Sequence, residues 1–139
     1  MLVTVVFLDV ERSTELLVER GDVAGRAAVE GVLAVARERI EPYGGTEVKS
    51  LGDGLMLTFP APRQAVTFAV TVQRALVGRS PALRVGINTG EIAGAPGDPV
   101  GEAVNAAARI AAKAAGGEVL VSDVVRQLVG TVPGVRFDD

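Results

Sequence analysis

VTVVFLDVERST, residues 3–14, is an apolar, β-branched run that ends on the carboxylate of Asp9 and then breaks into charge. With almost no polar alternation, residues 2–9 read as a strand covered on both faces. Such a strand belongs in the middle of a sheet. An uncompensated carboxylate at the rim of its core would cost on the order of several kcal/mol. An arginine, a cap of backbone N–H groups or a metal ion could compensate it.

Reading outward from this strand, Ser13 and Thr14 are good N-cap residues for a first helix, TELLVER, which Gly21 stops. The next segment, residues 22–45, carries Val29, Val32, Leu33, Val35, Ala36 and Ile40 at helical spacing, and Pro42 and Gly44-Gly45 end it. TEVKS and LMLTFP then predict two strands around a tight hairpin, Leu51-Gly52-Asp53-Gly54. Residues 62–78 predict an amphipathic helix, and LRVGINTG a further strand. The Gly/Pro-rich GAPGDPVG (94–101) reads as a loop. EAVNAAARIAAKAA reads as a helix so rich in alanine that it should pack closely on a neighbour. GEVLVS and VVRQLV close the chain with a strand and a short helix. This order predicts an α+β fold: a ferredoxin-like, split βαβ, antiparallel-rich sheet with helices packed against it, forming a single domain over 1–139.

Composition narrows the chemistry. Hydrophobic residues make up 48% and charged ones 22%, which is globular, and 139 residues suffice for a real core. The net charge of −3 gives no attraction to nucleic acid or to a membrane surface. There is no cysteine, hence no disulfide and no thiolate metal site. Histidine is absent too, which removes Ser–His and Cys–His nucleophiles and leaves carboxylates as metal ligands. No apolar run approaches the roughly 18 residues of a membrane span, and no charged segment precedes the N-terminal apolar stretch. The expectation is a cytoplasmic protein with no membrane insertion and no nucleic-acid polymer as partner.

Asp9 and Asp53 both stand at predicted strand ends that a ferredoxin-like sheet brings together. Two adjacent carboxylates repel unless a cation lies between them, and without His or Cys the oxygen-seeking Mg²⁺ or Mn²⁺ fits best. The plainer alternative is that Asp53 only makes an Asp-Gly turn and Asp9 only caps a helix. Lys49, four residues before Asp53, reads by itself as a solvated strand residue, and Asp98 as a turn former. Asn105 and Arg109 are four apart on the alanine-rich helix and project from one face, towards a ligand or towards solvent.

Four blocks, VTVVFLDVERST, YGGTEVKSLGDGLM, LRVGINTGEI and GDPVGEAVNAAARIAAKA, closely resemble in order and spacing the class III adenylate/guanylate cyclase catalytic domain. The match runs from residue 3 to about residue 128. The resemblance implies that Asp9 and Asp53 hold two divalent cations, with Val10 lending its backbone carbonyl. Mg²⁺ or Mn²⁺ would serve, and Ca²⁺ could take the same ligands without supporting the reaction. It implies that Glu11, Arg12, Ser13 and Thr14 form a triphosphate loop whose N–H groups meet anions at a helix start. Lys49 and Asp98 match the base-reading pair, while Asn105 and Arg109 match the residues that orient the ribose and stabilise transition-state charge. The implied partners are ATP and a second copy of the chain in a head-to-tail homodimer. Each shared site would take its metal aspartates from one protomer and the other four residues from its partner. A Lys49 ammonium donating to adenine N1 and an Asp98 carboxylate accepting from the 6-amino group favour ATP over GTP.

The chain departs from the family pattern in three places. Arg12 stands where glycine is usual. Glu91 stands where some relatives carry an arginine that helps hold the triphosphate. Family domains continue past GVRFDD into a final strand pair, so the C-terminus reads as truncated, which would leave an unpaired sheet edge. Three competing readings follow: a nucleotide- or metal-binding regulatory domain without turnover, a diguanylate cyclase echoed by YGGTE, and a bare interaction module that binds neither nucleotide nor metal.

Overall fold

Alternation along β1 (Leu2–Val10) sends Val6, Leu8 and Val10 into one core and Val3 and Val5 into another, so both faces of this strand are buried as its apolar run requires. The computed structural model describes residues 1–95 and 97–139. β1 leads into α1 (Ser13–Arg20) and α2 (Asp22–Ile40), then a short 3₁₀ turn at Glu41–Tyr43. The hairpin of β2 (Thr46–Ser50) and β3 (Gly54–Phe59) follows, then α3 (Pro62–Ala75) and β4 (Leu83–Glu91). A ribbon of β5 (Ala93–Ala95) and β6 (Asp98–Val100) precedes α4 (Glu102–Lys113), β7 (Val119–Val121) and α5 (Asp123–Val129).

The main sheet has the order β2-β3-β1-β4-β7. Each neighbouring pair among its first four strands is antiparallel, which is the split βαβ arrangement expected, and β7 adds in parallel beside β4 as an edge strand. One face is covered by α2, α3 and α5, whose Leu33, Val66, Phe68 and Val125 join Leu8, Leu57 and Ile87 in the larger core. The other face is covered by α4 over Val3, Val5 and Met56, with Phe7 and Val48 only partly buried. α4 comes unusually close: a Cβ at Gly86 would stand 2.2 Å from the Ala111 nitrogen, and one at Gly90 would stand 2.8 Å from Ala103 Cβ. The alanine-rich helix therefore packs at glycine distance, as its composition predicts.

The structure corrects three local expectations and adds one feature. The loop expected over 94–101 contains strand residues of the β5–β6 ribbon, and position 96 of it lies outside the described residues. The third helix ends at Ala75, three residues before the expected 78. Neither Ser13 nor Thr14 is the N-cap of α1: that position is Arg12, in the left-handed region at φ 57° and ψ 37°, and no side chain caps the helix. The glycine usual there in the resembling family thus meets a real backbone demand, which Arg12 satisfies under strain. Finally, the β2–β3 pairing is bulged between Glu47 and Lys49, so Lys49 rather than Val48 stands opposite Met56. Side chains alternate faces along a strand, so this bulge decides which way Lys49 is aimed.

Candidate active site

The two aspartates meet as the sheet order demands. β1 and β3 are neighbours with Asp9 opposite Gly54, and the Val10 N–H donates to the Asp53 carbonyl at 2.9 Å. A Cβ on Gly54 would stand 2.3 Å from the Leu8 carbonyl oxygen and 2.9 Å from Asp9 Cβ. Only glycine lets the Asp53 turn close so tightly on Asp9. Asp53 Oδ2 accepts a 2.6 Å hydrogen bond from Ser13 Oγ, which ties the turn to the first residue of α1. Within α1 the first bonded amide is that of Leu16, to the Arg12 carbonyl. The amides of Ser13, Thr14 and Glu15 therefore lack an acceptor in the helix and form an anion-seeking start beside the aspartates. Glu11 behaves differently, with its carboxylate lying over Gly116, where a Cβ would come within 1.9 Å of Oε2.

An arginine answers the charge at the end of the buried strand. Arg84 stands directly opposite Asp9 on β4 and grips both of its oxygens, Nε to Oδ1 and Nη2 to Oδ2, each at 2.8 Å. Hydrogen bonding to Asp9, with further attraction from Asp9, Glu11 and Asp53, outweighs partial burial and raises the Arg84 pKa above its usual value. Sequence reading missed Arg84. The signal was available in part, because two nine-residue strands, Leu2–Val10 and Leu83–Glu91, paired end to end set Asp9 against Arg84.

The remaining expected residues gather elsewhere on the chain. Lys49 Nζ lies 3.3 Å from Asp98 Oδ1. Lys49 pairs across from Met56, and Met56 across from Phe7, so Lys49 belongs to the sheet face that α4 covers. Asn105 and Arg109 lie on the exposed side of α4, opposite the buried Ala107 and Ala111. Arg109 Nη2 donates to Glu102 Oε1 at 2.5 Å, so its guanidinium rests on a carboxylate about two helical turns away. Glu91, the departure near the ribbon, pairs with the N-terminal ammonium at 2.8 Å.

Asp9 and Asp53 fit a hard divalent cation. They are carboxylates at adjoining strand ends, the glycine after Asp53 lets its turn close on Asp9, and Asp9 already pairs with a cationic group, the Arg84 guanidinium. Among the described residues no cluster of three or more His, Cys, Asp or Glu side chains forms a metal cage. Two carboxylates completed by phosphate oxygens and water is the manner in which Mg²⁺ is commonly held. Among the described residues no helix is long and apolar enough to cross a membrane.

A five-stranded split βαβ sheet with helices on both faces and two aspartates at adjoining strand ends is an α+β domain. The chain belongs to the adenylate and guanylate cyclase catalytic domain family, whose model matches residues 2–138. It is 33% identical over 138 residues to a pH-sensitive adenylate cyclase of Mycobacterium tuberculosis, a match covering 94% of this chain and 33% of that protein. It is 31% identical over 153 residues to an adenylate cyclase of Podospora anserina, covering 87% of this chain and 7% of the relative. The chain thus spans a small part of the length of these relatives. Among solved structures, an adenylate cyclase from Trypanosoma brucei in its monomeric state superposes with a TM-score of 0.83 at 25% identity, covering 93% of this chain and 76% of that one. The adenylyl cyclase CyaB from P. aeruginosa superposes at 0.79 and 26% identity, covering 92% and 80%.

Proposed function

We propose that this chain is an adenylate cyclase domain that converts ATP to 3′,5′-cyclic AMP and pyrophosphate. The observation that carries the choice of ATP is the 3.3 Å pairing of Lys49 with Asp98, a donor and an acceptor side by side. Against adenine, Lys49 donates to N1 and Asp98 accepts from the 6-amino group. Guanine reverses both, setting its N1–H against the ammonium and O6 against the carboxylate. A site whose polar groups are left without partners discriminates by up to about 10⁴-fold or more.

Asp9 and Asp53, with the Val10 carbonyl, would hold two divalent cations, Mg²⁺ or Mn²⁺. Cations held there would lower the pKa of the ribose 3′-hydroxyl and screen the phosphate oxygens. The free amides at the start of α1 orient the triphosphate, and Asn105 orients the ribose. The 3′-hydroxyl gives its proton to water as its oxygen attacks the α-phosphorus in line; the new O–P bond forms, the bond from the α-phosphorus to the bridging oxygen breaks, and pyrophosphate leaves. Arg109 turns from Glu102 to the phosphoryl oxygens, where developing charge makes its contact stronger than in the ground state.

The reading includes a head-to-tail homodimer. Asn105 and Arg109 face solvent on α4, and the sheet face beside it leaves Phe7 and Val48 partly covered, with Leu51 and Val100 exposed nearby in sequence. A second copy laid there would bring its aspartates to these side chains. Chromatographic detection of cyclic AMP from ATP and Mn²⁺, over a range of protein concentrations, tests the reading. Specific activity should rise with concentration. No product at any concentration would overturn turnover and leave the regulatory-domain alternative.

A further inference from the structure

Ser13 opens α1, where a serine side chain commonly caps the helix, yet its hydroxyl is committed elsewhere. No side chain caps α1, and Ser13 Oγ donates instead to Asp53 Oδ2 at 2.6 Å. That length marks a hydroxyl bonded to a charged oxygen, a bond about twice as strong as a neutral one. The anchor behind it is stiff. Leu16, three residues on, is buried, and α2 closes on α1 so tightly that a Cβ at Gly25 would stand 2.8 Å from Leu17 Cδ2. A hydroxyl has one proton to donate, so Ser13 holds one oxygen of Asp53 and leaves Oδ1 for a ligand.

We propose that Ser13 is a positioning residue: it makes Asp53 a one-oxygen ligand and thereby sets the preference of the site for Mg²⁺ over Ca²⁺. This inference rests on the two-metal reading of Asp9 and Asp53. The two ions ask for different carboxylates. Mg²⁺ demands near-ideal octahedral geometry at about 2.0–2.1 Å, keeps several waters and takes few carboxylate oxygens. Ca²⁺ gathers roughly six to eight oxygens at about 2.3–2.6 Å in flexible geometry, and readily takes both oxygens of one carboxylate. With Oδ2 tied to the start of a seated helix, Asp53 cannot turn both oxygens on one ion. Without the hydroxyl the carboxylate is free to rotate and offer both. Ca²⁺ then gains a ligand, whereas Mg²⁺ loses a fixed one and gains nothing.

A ratio separates this role from a structural one. If Ser13 only fastened the Asp53 turn to α1, its removal would weaken every divalent ion by the same factor. If it fixes how Asp53 coordinates, its removal changes the ratio between ions. Water-proton relaxation reports Mn²⁺ bound to protein, and the chain would be loaded with Mn²⁺ and 3′-deoxy-ATP, which lacks the attacking hydroxyl. Mg²⁺ or Ca²⁺ would then displace the Mn²⁺. Competition for the nucleotide itself is the same for every variant, so the change in the Ca²⁺/Mg²⁺ displacement ratio between variants reports the protein. Ser13→Ala should shift that ratio towards Ca²⁺ by at least about fivefold, within reach of one hydrogen bond to a charged group. Ser13→Thr keeps the hydroxyl and should hold the natural ratio. Ser13→Val has the threonine shape without the hydroxyl, should shift as alanine does, and carries the test if Ser13→Ala loses its far-ultraviolet dichroism. An unchanged ratio in a folded alanine or valine variant, with Mn²⁺ uptake intact in the natural chain, overturns the role of Ser13 alone. No Mn²⁺ uptake by the natural chain even with 3′-deoxy-ATP overturns the two-metal reading and this inference together.

Discussion

Lys49 and Asp98 form an ion pair at 3.3 Å although one stands on the edge strand of the main sheet and the other opens the second strand of a separate ribbon. Both side chains are about half exposed or more, so the pair adds well under about 1 kcal/mol to stability. Stability therefore gives little reason for the pairing, which leaves the proposed base-reading role to be tested.

Replacement of both residues should therefore leave the fold intact and change base choice. Lys49→Glu with Asp98→Gly is expected to lower the ratio of kcat/KM for ATP over GTP by at least about tenfold. Steady-state kinetics with each nucleotide checks this, and an unchanged ratio in a folded double variant rules out the base-reading role.

A site shared between protomers makes a different demand. Asp53→Ala and Arg109→Ala should each lose about 10²-fold or more of activity alone. Mixed in equal amounts, they should recover about a quarter of the natural activity, because half the dimers then carry one intact site of two. Recovery that does not exceed the sum of the separate variants would place all the residues of a site in one chain.

Gly86 tests how tightly α4 is seated. Gly86→Ala would put a Cβ 2.2 Å from the Ala111 nitrogen and 2.9 Å from the Ala107 carbonyl oxygen, and helix backbone cannot yield as a flexible side chain can. A loss of about 1–3 kcal/mol in urea unfolding is expected. Activity should fall further than stability does, since Asn105 and Arg109 ride on the displaced helix.

Arg12 offers the opposite sign. A left-handed conformation costs a non-glycine residue about 1–2 kcal/mol, whereas glycine gives back about 0.5–1 kcal/mol in chain entropy. Arg12→Gly should therefore raise unfolding free energy by roughly 0.5–1 kcal/mol, the difference between these terms. Urea denaturation would show it as a higher midpoint at unchanged slope. A lower midpoint would mean that the guanidinium makes a contact worth more than the strain.

The main sheet was legible because its signals are local. The β-branched run at 2–9, the helical spacing of Val29 to Ile40 and the glycine turn at 52–54 each constrain a few neighbouring residues, and the antiparallel order follows from their sequence. Family resemblance then supplied roles for Asp9, Asp53, Lys49, Asp98, Asn105 and Arg109. What stayed hidden depends on register between distant segments. The bulge that aims Lys49, the Arg84 grip on Asp9 and the Ser13 bond to Asp53 are set by which residues end up opposite one another. The β5–β6 ribbon was missed because three-residue strands rich in glycine and proline carry the composition of a loop.

β4 contributes none of the residues assigned to substrate, yet three of its positions fix how α4 sits relative to the end of β1. Arg84 at its start spans Asp9 and the end of α4, while Gly86 and Gly90 farther along fix how deeply that helix sits. The strand works as a gauge block between the aspartate end of one proposed site and the helix that would serve the other. Drift at any of these three positions would change the distance between working parts without touching one of them. A variant of this kind would keep every expected functional residue and still be inactive.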